Sequence, residues 1–169
     1  MITFALASAD DVPALTEVQI RCFDNDSREH GFGERGGPPG YDSENWQSVM
    51  MQHAAYYKIV DDGRIIGGFI VFDLGGGHFE LGRIYIDPAY HNRGIGTQAM
   101  RFIEAAFPQA TRWTLDTPSW ARRNHHFYQK MGYVKTGELQ PEGADFTLFF
   151  YEKRIAAPEA LTSGKAGTS

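Results

Sequence analysis

Apolar positions in this chain switch repeatedly between a two-residue and a three-to-four-residue period. "ITFALA" (Ile2–Ala7) predicts a first strand. "SADDVPALTEVQIRCF" (Ser8–Phe23) predicts a helix, with Ser8, Asp10 and Asp11 as cap candidates, Pro13 in the first turn, and Leu15, Val18 and Cys22 on one face. Between Gly31 and Gly40 stand five glycines and two prolines, so Asp24–Ser43 reads as one long loop, of the kind that in a compact domain is functional or disordered. "SENWQSVMMQHAA" predicts a second helix capped by Ser43. "YYKIV" and "RIIGGFIVFDL" flank Asp62-Gly63, a strong hairpin signal, and the apolar run Ile65–Phe72 suits a strand covered on both faces. "HFELGRIYI" (His78–Ile86) follows a three-glycine turn.

After "DPAYHNRGIG" a helix carries Ile95, Ala99, Phe102, Ile103 and Ala106 on its inner stripe and stops before Pro108. "RWTLDT" predicts a strand, "SWARRNHHFYQKMG" a helix closed by Gly132, and "YVKTGEL" and "DFTLFFYEKRI" a last hairpin. The element order predicts a mixed, mostly antiparallel α/β sheet with helices on both faces, one domain over residues 1–155 and a patternless, disordered tail over 156–169.

Composition narrows this picture. The 169 residues suffice for one domain, and 42% hydrophobic with 14% aromatic content is globular. A net charge of -5 argues against nucleic acid as partner and suits a cationic substrate. A lone cysteine, Cys22, excludes an internal disulfide and a multi-cysteine zinc site. The start has no basic leader and no run is long enough to span a membrane, so the expectation is a cytoplasmic protein with no membrane partner. The six histidines, with His125 and His126 on different helix faces, give no expected metal site. Asp73 and Asp116, at strand ends, could meet an amine, but read first as surface turn acids.

"GIGTQA" (Gly94–Ala99) has three readings. It fits the dinucleotide fingerprint G-x-G-x-x-G/A literally, and Asp116, 22 residues on, stands where a ribose-binding acid would. Against a dinucleotide-dependent oxidoreductase stand Pro88 and the five residues "AYHNR" between strand and glycine, and hairpins where βαβ units belong. It is equally a plain turn before a helix. Or it holds another phosphate, since helix N-terminal amides lack intrahelical partners and glycine lets a pyrophosphate come close.

Strand, Asp-Pro, turn, "RGIG", helix, strand and a helix with "FYQKMGY" resemble the GNAT N-acetyltransferase superfamily. Its first signature, Gln/Arg-x-x-Gly-x-Gly/Ala, corresponds to His91-Asn92-Arg93-Gly94-Ile95-Gly96, with His91 where Gln or Arg is usual. Its second, Tyr-x-x-x-Gly-Phe/Tyr, corresponds to Tyr128-Gln129-Lys130-Met131-Gly132-Tyr133. The resemblance implies acetyl-CoA in a slot where two parallel strands, Leu81–Ile86 and Arg112–Thr117, splay apart. It implies that backbone from Ile84 through Tyr85 to Ile86 pairs with the pantetheine arm. His91, Asn92 and the amides of Arg93, Gly94, Ile95, Gly96 and Thr97 would hold the pyrophosphate, and Asn124 and Phe127 would line the arm and thioester. Arg122 and Arg123 could approach the phosphates or form a solvated face.

Amine attack on a thioester needs a base and an acid. Glu80 is the base candidate: on strict alternation it shares a face with Gly82, Ile84 and Ile86, an odd place for a carboxylate unless it meets a cavity. Tyr128 is the acid candidate, its phenol donating to the leaving thiolate. Glu29, Glu34, Tyr41 and Asp42 in the long loop are candidates for a small amine or for a peptide or protein amine. The alternatives are the oxidoreductase and a non-catalytic acyl-CoA-binding module. A homodimer through the aromatic "FTLFFY" strand (Phe146–Tyr151) is a further expectation.

Overall fold

The computed structural model describes residues 1–156, so the expected tail lies, from residue 157 on, outside the described residues. The strands are β1 (Ile2–Leu6), β2 (Ala55–Asp61), β3 (Arg64–Asp73), β4 (His78–Ile86), β5 (Arg112–Pro118), β6 (Val134–Leu139) and β7 (Leu148–Arg154). The helices are α1 (Val12–Glu29), α2 (Glu44–His53), α3 (Ile95–Ala106) and α4 (Arg122–Lys130). They form one seven-stranded sheet in the order β1-β2-β3-β4-β5-β7-β6, antiparallel except for the parallel neighbours β4 and β5. The mixed α/β sheet expected from the pattern is therefore present, and with a single parallel pair it is not a doubly wound dinucleotide fold.

Two apolar layers hold the sheet. On one face α3 and α4 pack Ile95, Ala99, Met100, Ile103 and Tyr128 against Phe69, Val71, Phe79, Leu81, Trp113 and Leu115. On the other, α1 packs Leu15, Val18 and Cys22 against Tyr56, Ile70 and Tyr85, with Trp46 and Met50 of α2 at the margin. Ile66 through Val71 are buried without interruption, as a strand covered on both faces requires. The α3 stripe differs slightly from the pattern: Met100 is buried, Phe102 half-buried against Phe4, and Ala106 exposed where the helix leaves the sheet.

The Asp62-Gly63 turn has both residues at positive φ (45° and 82°), the conformation that matches strand twist in a two-residue hairpin. Gly132 (φ 97°) closes α4 in a Schellman motif: Tyr133 N–H bonds to Tyr128 O (3.0 Å) and Gly132 N–H to Gln129 O (3.0 Å).

One expectation changes. The helix expected to end at Phe23 runs on to Glu29. Its last turns are polar, and the loop after them supplies the missing stabilisation. Buried Asp24 accepts from Gly36 N–H (3.0 Å) and the Tyr41 hydroxyl (2.8 Å), and Ser27 Oγ donates to Gly33 O (3.0 Å). An apolar count cannot register such bonds. The strand that carries "FTLFFY", β7, is paired on both sides, by β5 and β6.

Candidate active site

Only three rungs join β4 to β5: His78 opposite Arg112, Phe79 opposite Trp113, and Glu80 opposite Thr114. Beyond Glu80 the strands part. β4 continues to Ile86 and β5 to Pro118 with no ladder between them, which leaves a V-shaped gap with two open edges. Asp87 N–H bonds to Ile66 O (2.7 Å) on β3, so strand alternation turns the amide groups of Ile84 and Ile86 into the gap and those of Tyr85 toward β3. Ile84 is at the open edge. Ile86 is already engaged: its carbonyl meets His91 Nε2 (2.9 Å), and its N–H faces the Cys22 thiol.

A β-bulge decides what lines the gap. On β3, Ile70 and Val71 are adjacent; on β4 their partners are Arg83 and Leu81, so Gly82 is an extra residue. A Cβ at Gly82 would run into the Phe72 ring, which is why a glycine stands there. The bulge breaks the alternation assumed for Glu80. Leu81 and Ile84, three apart, both face the α3 layer. Glu80 therefore lies on the opposite face from Ile84 and Ile86, on the side of Arg83 and Tyr85, and not with them as strict alternation implied.

On that side Glu80 opens into a cleft of about 400 Å³, lined also by His78, Thr114, Asp116, Gly137 and Phe150. Glu80 and Asp116 make no hydrogen bond or ion pair among the described residues. Burial raises the Glu80 carboxyl above its ordinary value, and the charge of Asp116 raises it further. Asp116 keeps an exposed side chain yet lines the same cleft, and the hydration it loses there raises its carboxyl too. The surface-turn reading of Asp116 is thus corrected: the bulge and the splay bring it to Glu80, which no local pattern could show. Arg112, the nearest cation along β5, is tied to Glu152.

Tyr128 comes from α4 on the far side of the sheet. Its ring is buried against Phe127, Tyr133 and Tyr151, and its hydroxyl bonds to no described residue. Burial first, and Asp116 second, push its phenol well above the usual tyrosine range. Asp116 thus acts electrostatically on both Glu80 and Tyr128 near the point where the strands diverge. Asn124 reaches the β5 edge with its amide 3.5 Å from Thr117 Oγ1. Phe127 lies against α3: a Cβ on Gly96 would sit 3.2 Å from its ring.

The glycine turn opens α3. Gly94 is its N-cap at φ 75°, a left-handed conformation that glycine adopts without strain, and Asn92 is left-handed as well (φ 63°). The amides of Ile95, Gly96 and Thr97 begin the helix beyond it and have no intrahelical acceptor. Arg93 folds away, its guanidinium 5.1 Å from the Tyr90 ring. His91 does not present a ring nitrogen to the turn. Nε2 is bonded to Ile86 O, and Nδ1 lies 3.2 Å from Arg123 Nη1 of α4.

At the wide end of the gap the loop after α1 crosses to the turn before α4. His30 and Phe32 pack on Trp120, with ring centroids 4.6 Å and 5.3 Å apart. Tyr41 is buried and bonded to Asp24, so it ties the loop down and is no longer available to an acceptor, contrary to its expected role.

A mixed sheet whose one parallel pair splays, with a glycine turn and helix beside the gap, defines an acyl-CoA-type acyltransferase fold. The acetyltransferase (GNAT) family model matches residues 13–133, and the chain belongs to this family, whose acetyl donor is acetyl-CoA. It is similar to PaiA N-acetyltransferase from Thermoplasma acidophilum, solved with coenzyme A (TM-score 0.75, 17% identity, 92% of this chain and 99% of that one). It is also similar to the ribosomal-protein-S18-alanine N-acetyltransferase of Escherichia coli (TM-score 0.74, 14% identity, 92% and 94%). In sequence it is 35% identical over 99 residues to the uncharacterized protein YrkN of Bacillus subtilis (strain 168), 57% of this chain and 54% of that one. The matched region thus spans about half the length of that relative.

Proposed function

We propose that the protein transfers the acetyl group of acetyl-CoA to a primary amine by direct attack on the thioester. One observation carries the reading: Glu80 and Asp116, unpaired among the described residues, share a cleft at the point where β4 and β5 part. Two carboxylates with no cation to neutralise them favour a cationic acceptor.

The gap fits the donor. The Ile84 amide at the open edge, with Asn124 and Phe127 across it, suits a pantetheine arm lying as an added strand, and the turn from Asn92 to Thr97 suits its diphosphate. Glu80 takes a proton from the acceptor ammonium, and its raised pKa makes it a base closer to neutral pH than an ordinary carboxylate. The amine nitrogen forms the new bond to the acetyl carbon as the carbon–sulfur bond breaks; the nitrogen's second proton is lost to solvent as the amide forms, and the released thiolate takes its proton from solvent. Tyr128, held protonated by burial, donates to the departing sulfur. Its elevated pKa makes full proton transfer uphill, so its main contribution is a hydrogen bond to the developing negative charge.

A thiol-release assay of wild type, Glu80→Gln and Tyr128→Phe against pooled amines tests this. Turnover that both substitutions reduce while CoA affinity holds supports the reading. No turnover by wild type on any amine would favour a binding module instead.

A further inference from the structure

The position where this chain departs from its family signature has a second consequence. The His91 ring is used on both sides. Nε2 donates to Ile86 O (2.9 Å), which leaves Nδ1 as an acceptor, and Arg123 Nη1 approaches it at 3.2 Å. Arg123 Nη2 donates in turn to Asn92 Oδ1 (3.2 Å). Asn92 is the left-handed residue of the turn, so its backbone is fixed where its side chain accepts. One guanidinium from α4 is thereby clamped against the turn that precedes α3.

The clamp leaves the charge intact. Both acceptors are neutral, and Arg123 makes no ion pair among the described residues. Asp26 of α1 is near enough to sense both His91 and Arg123, but lies beyond ion-pair distance. Two of the five guanidinium N–H donors are used, and the remainder are unused on an exposed side chain held against the turn that precedes α3.

We propose that Arg123 binds a phosphate of CoA, and that His91 is the positioning residue that holds it there. The role the family signature assigns to residue 91 is thus carried out by α4. An arginine fork suits a phosphate, where it offers two donors at once. This rests on the reading that the turn faces the CoA diphosphate.

The test is calorimetry of CoA and of pantetheine, which lacks the phosphates, with wild type, Arg123→Gln, His91→Ala and the double variant, each checked for an unchanged Tm. Arg123→Gln should weaken CoA about 10-fold, in line with one charge-assisted hydrogen bond at an exposed site, and leave pantetheine unaffected. His91→Ala should cost several-fold alone and little more in the Arg123→Gln background, because its effect passes through Arg123. Wild-type binding of CoA with no change in Arg123→Gln overturns the inference alone, as does an equal loss for pantetheine. Equal costs of His91→Ala in both backgrounds overturn the positioning role. Failure of wild type to bind CoA overturns the inference and the proposed function together.

Discussion

Glu80 and Thr114 form the last rung between β4 and β5, and the gap between the two strands opens just past that rung. The carboxylate there is raised by burial and by Asp116. A base works deprotonated, so activity should fall as pH drops through the raised value, which lies above the ordinary glutamate value of about 4.3. Asp116→Asn removes a neighbouring negative charge and should move this acid limb of kcat/KM to lower pH. An unmoved limb would show that the two carboxylates do not couple. Glu80→Gln should lower kcat by about 10- to 1000-fold and remove the limb.

Tyr128→Phe should lower kcat over a similar range, about 10- to 1000-fold, with CoA affinity retained, as measured by single turnover and calorimetry. A fall in affinity with kcat unchanged would make the residue a packing element of the α4 layer and nothing more.

The two glycines of the turn fail in different ways. Gly94→Val meets no atom but is strained at φ 75°, whereas a side chain at residue 96 presses on Phe127 at the pantetheine edge. Both variants should weaken CoA binding, and Gly96→Val should also perturb the aromatic signals of Phe127. A domain that stays folded with unchanged CoA affinity in both would count against the cradle.

Under α1 lies a buried polar network. Gln19 Nε2 donates to Gln47 Oε1 (2.6 Å) and the Tyr56 hydroxyl (3.0 Å), while Arg83 Nη1 donates to Gln19 Oε1 (3.1 Å). Gln19→Leu removes three buried hydrogen bonds but leaves the Tyr56 hydroxyl on Gln47 Oε1 (2.7 Å) and Arg83 Nη2 on Pro39 O (3.1 Å), and should cost about 1–3 kcal/mol in denaturant unfolding. A neutral result would mean that the bonds these partners keep to one another, Tyr56 to Gln47 and to Tyr85 (2.6 Å), satisfy them without Gln19.

Burial holds the Cys22 thiol at about 12, against 9.0 when unperturbed. The folded chain keeps this proton where the unfolded chain loses it, so the stability tied to Cys22 is intact at neutral pH and declines as pH rises above about 9. Cys22→Ala should flatten the fall in unfolding free energy between pH 8.5 and 10, and the native thiol should react with disulfide reagents only as fast as the chain opens.

The sequence by itself determined the elements. Period, caps and breakers are local, and they are legible in Asp62-Gly63, in Ser43 accepting from Trp46 N–H, and in the Gly132 cap. Spacing also marked the glycine turn and "FYQKMGY", because a helix start beside a phosphate restricts residue type over a few positions. Whatever depended on one extra residue or on a distant partner was settled by tertiary structure. The Gly82 bulge reversed the face of Glu80, because side-chain direction in a strand depends on a count that pairing with β3 sets. The meeting of Asp116 with Glu80, the continuation of α1 to Glu29, and the clamp of His91 on Arg123 join residues far apart in the chain, and only the packed sheet brings them within reach.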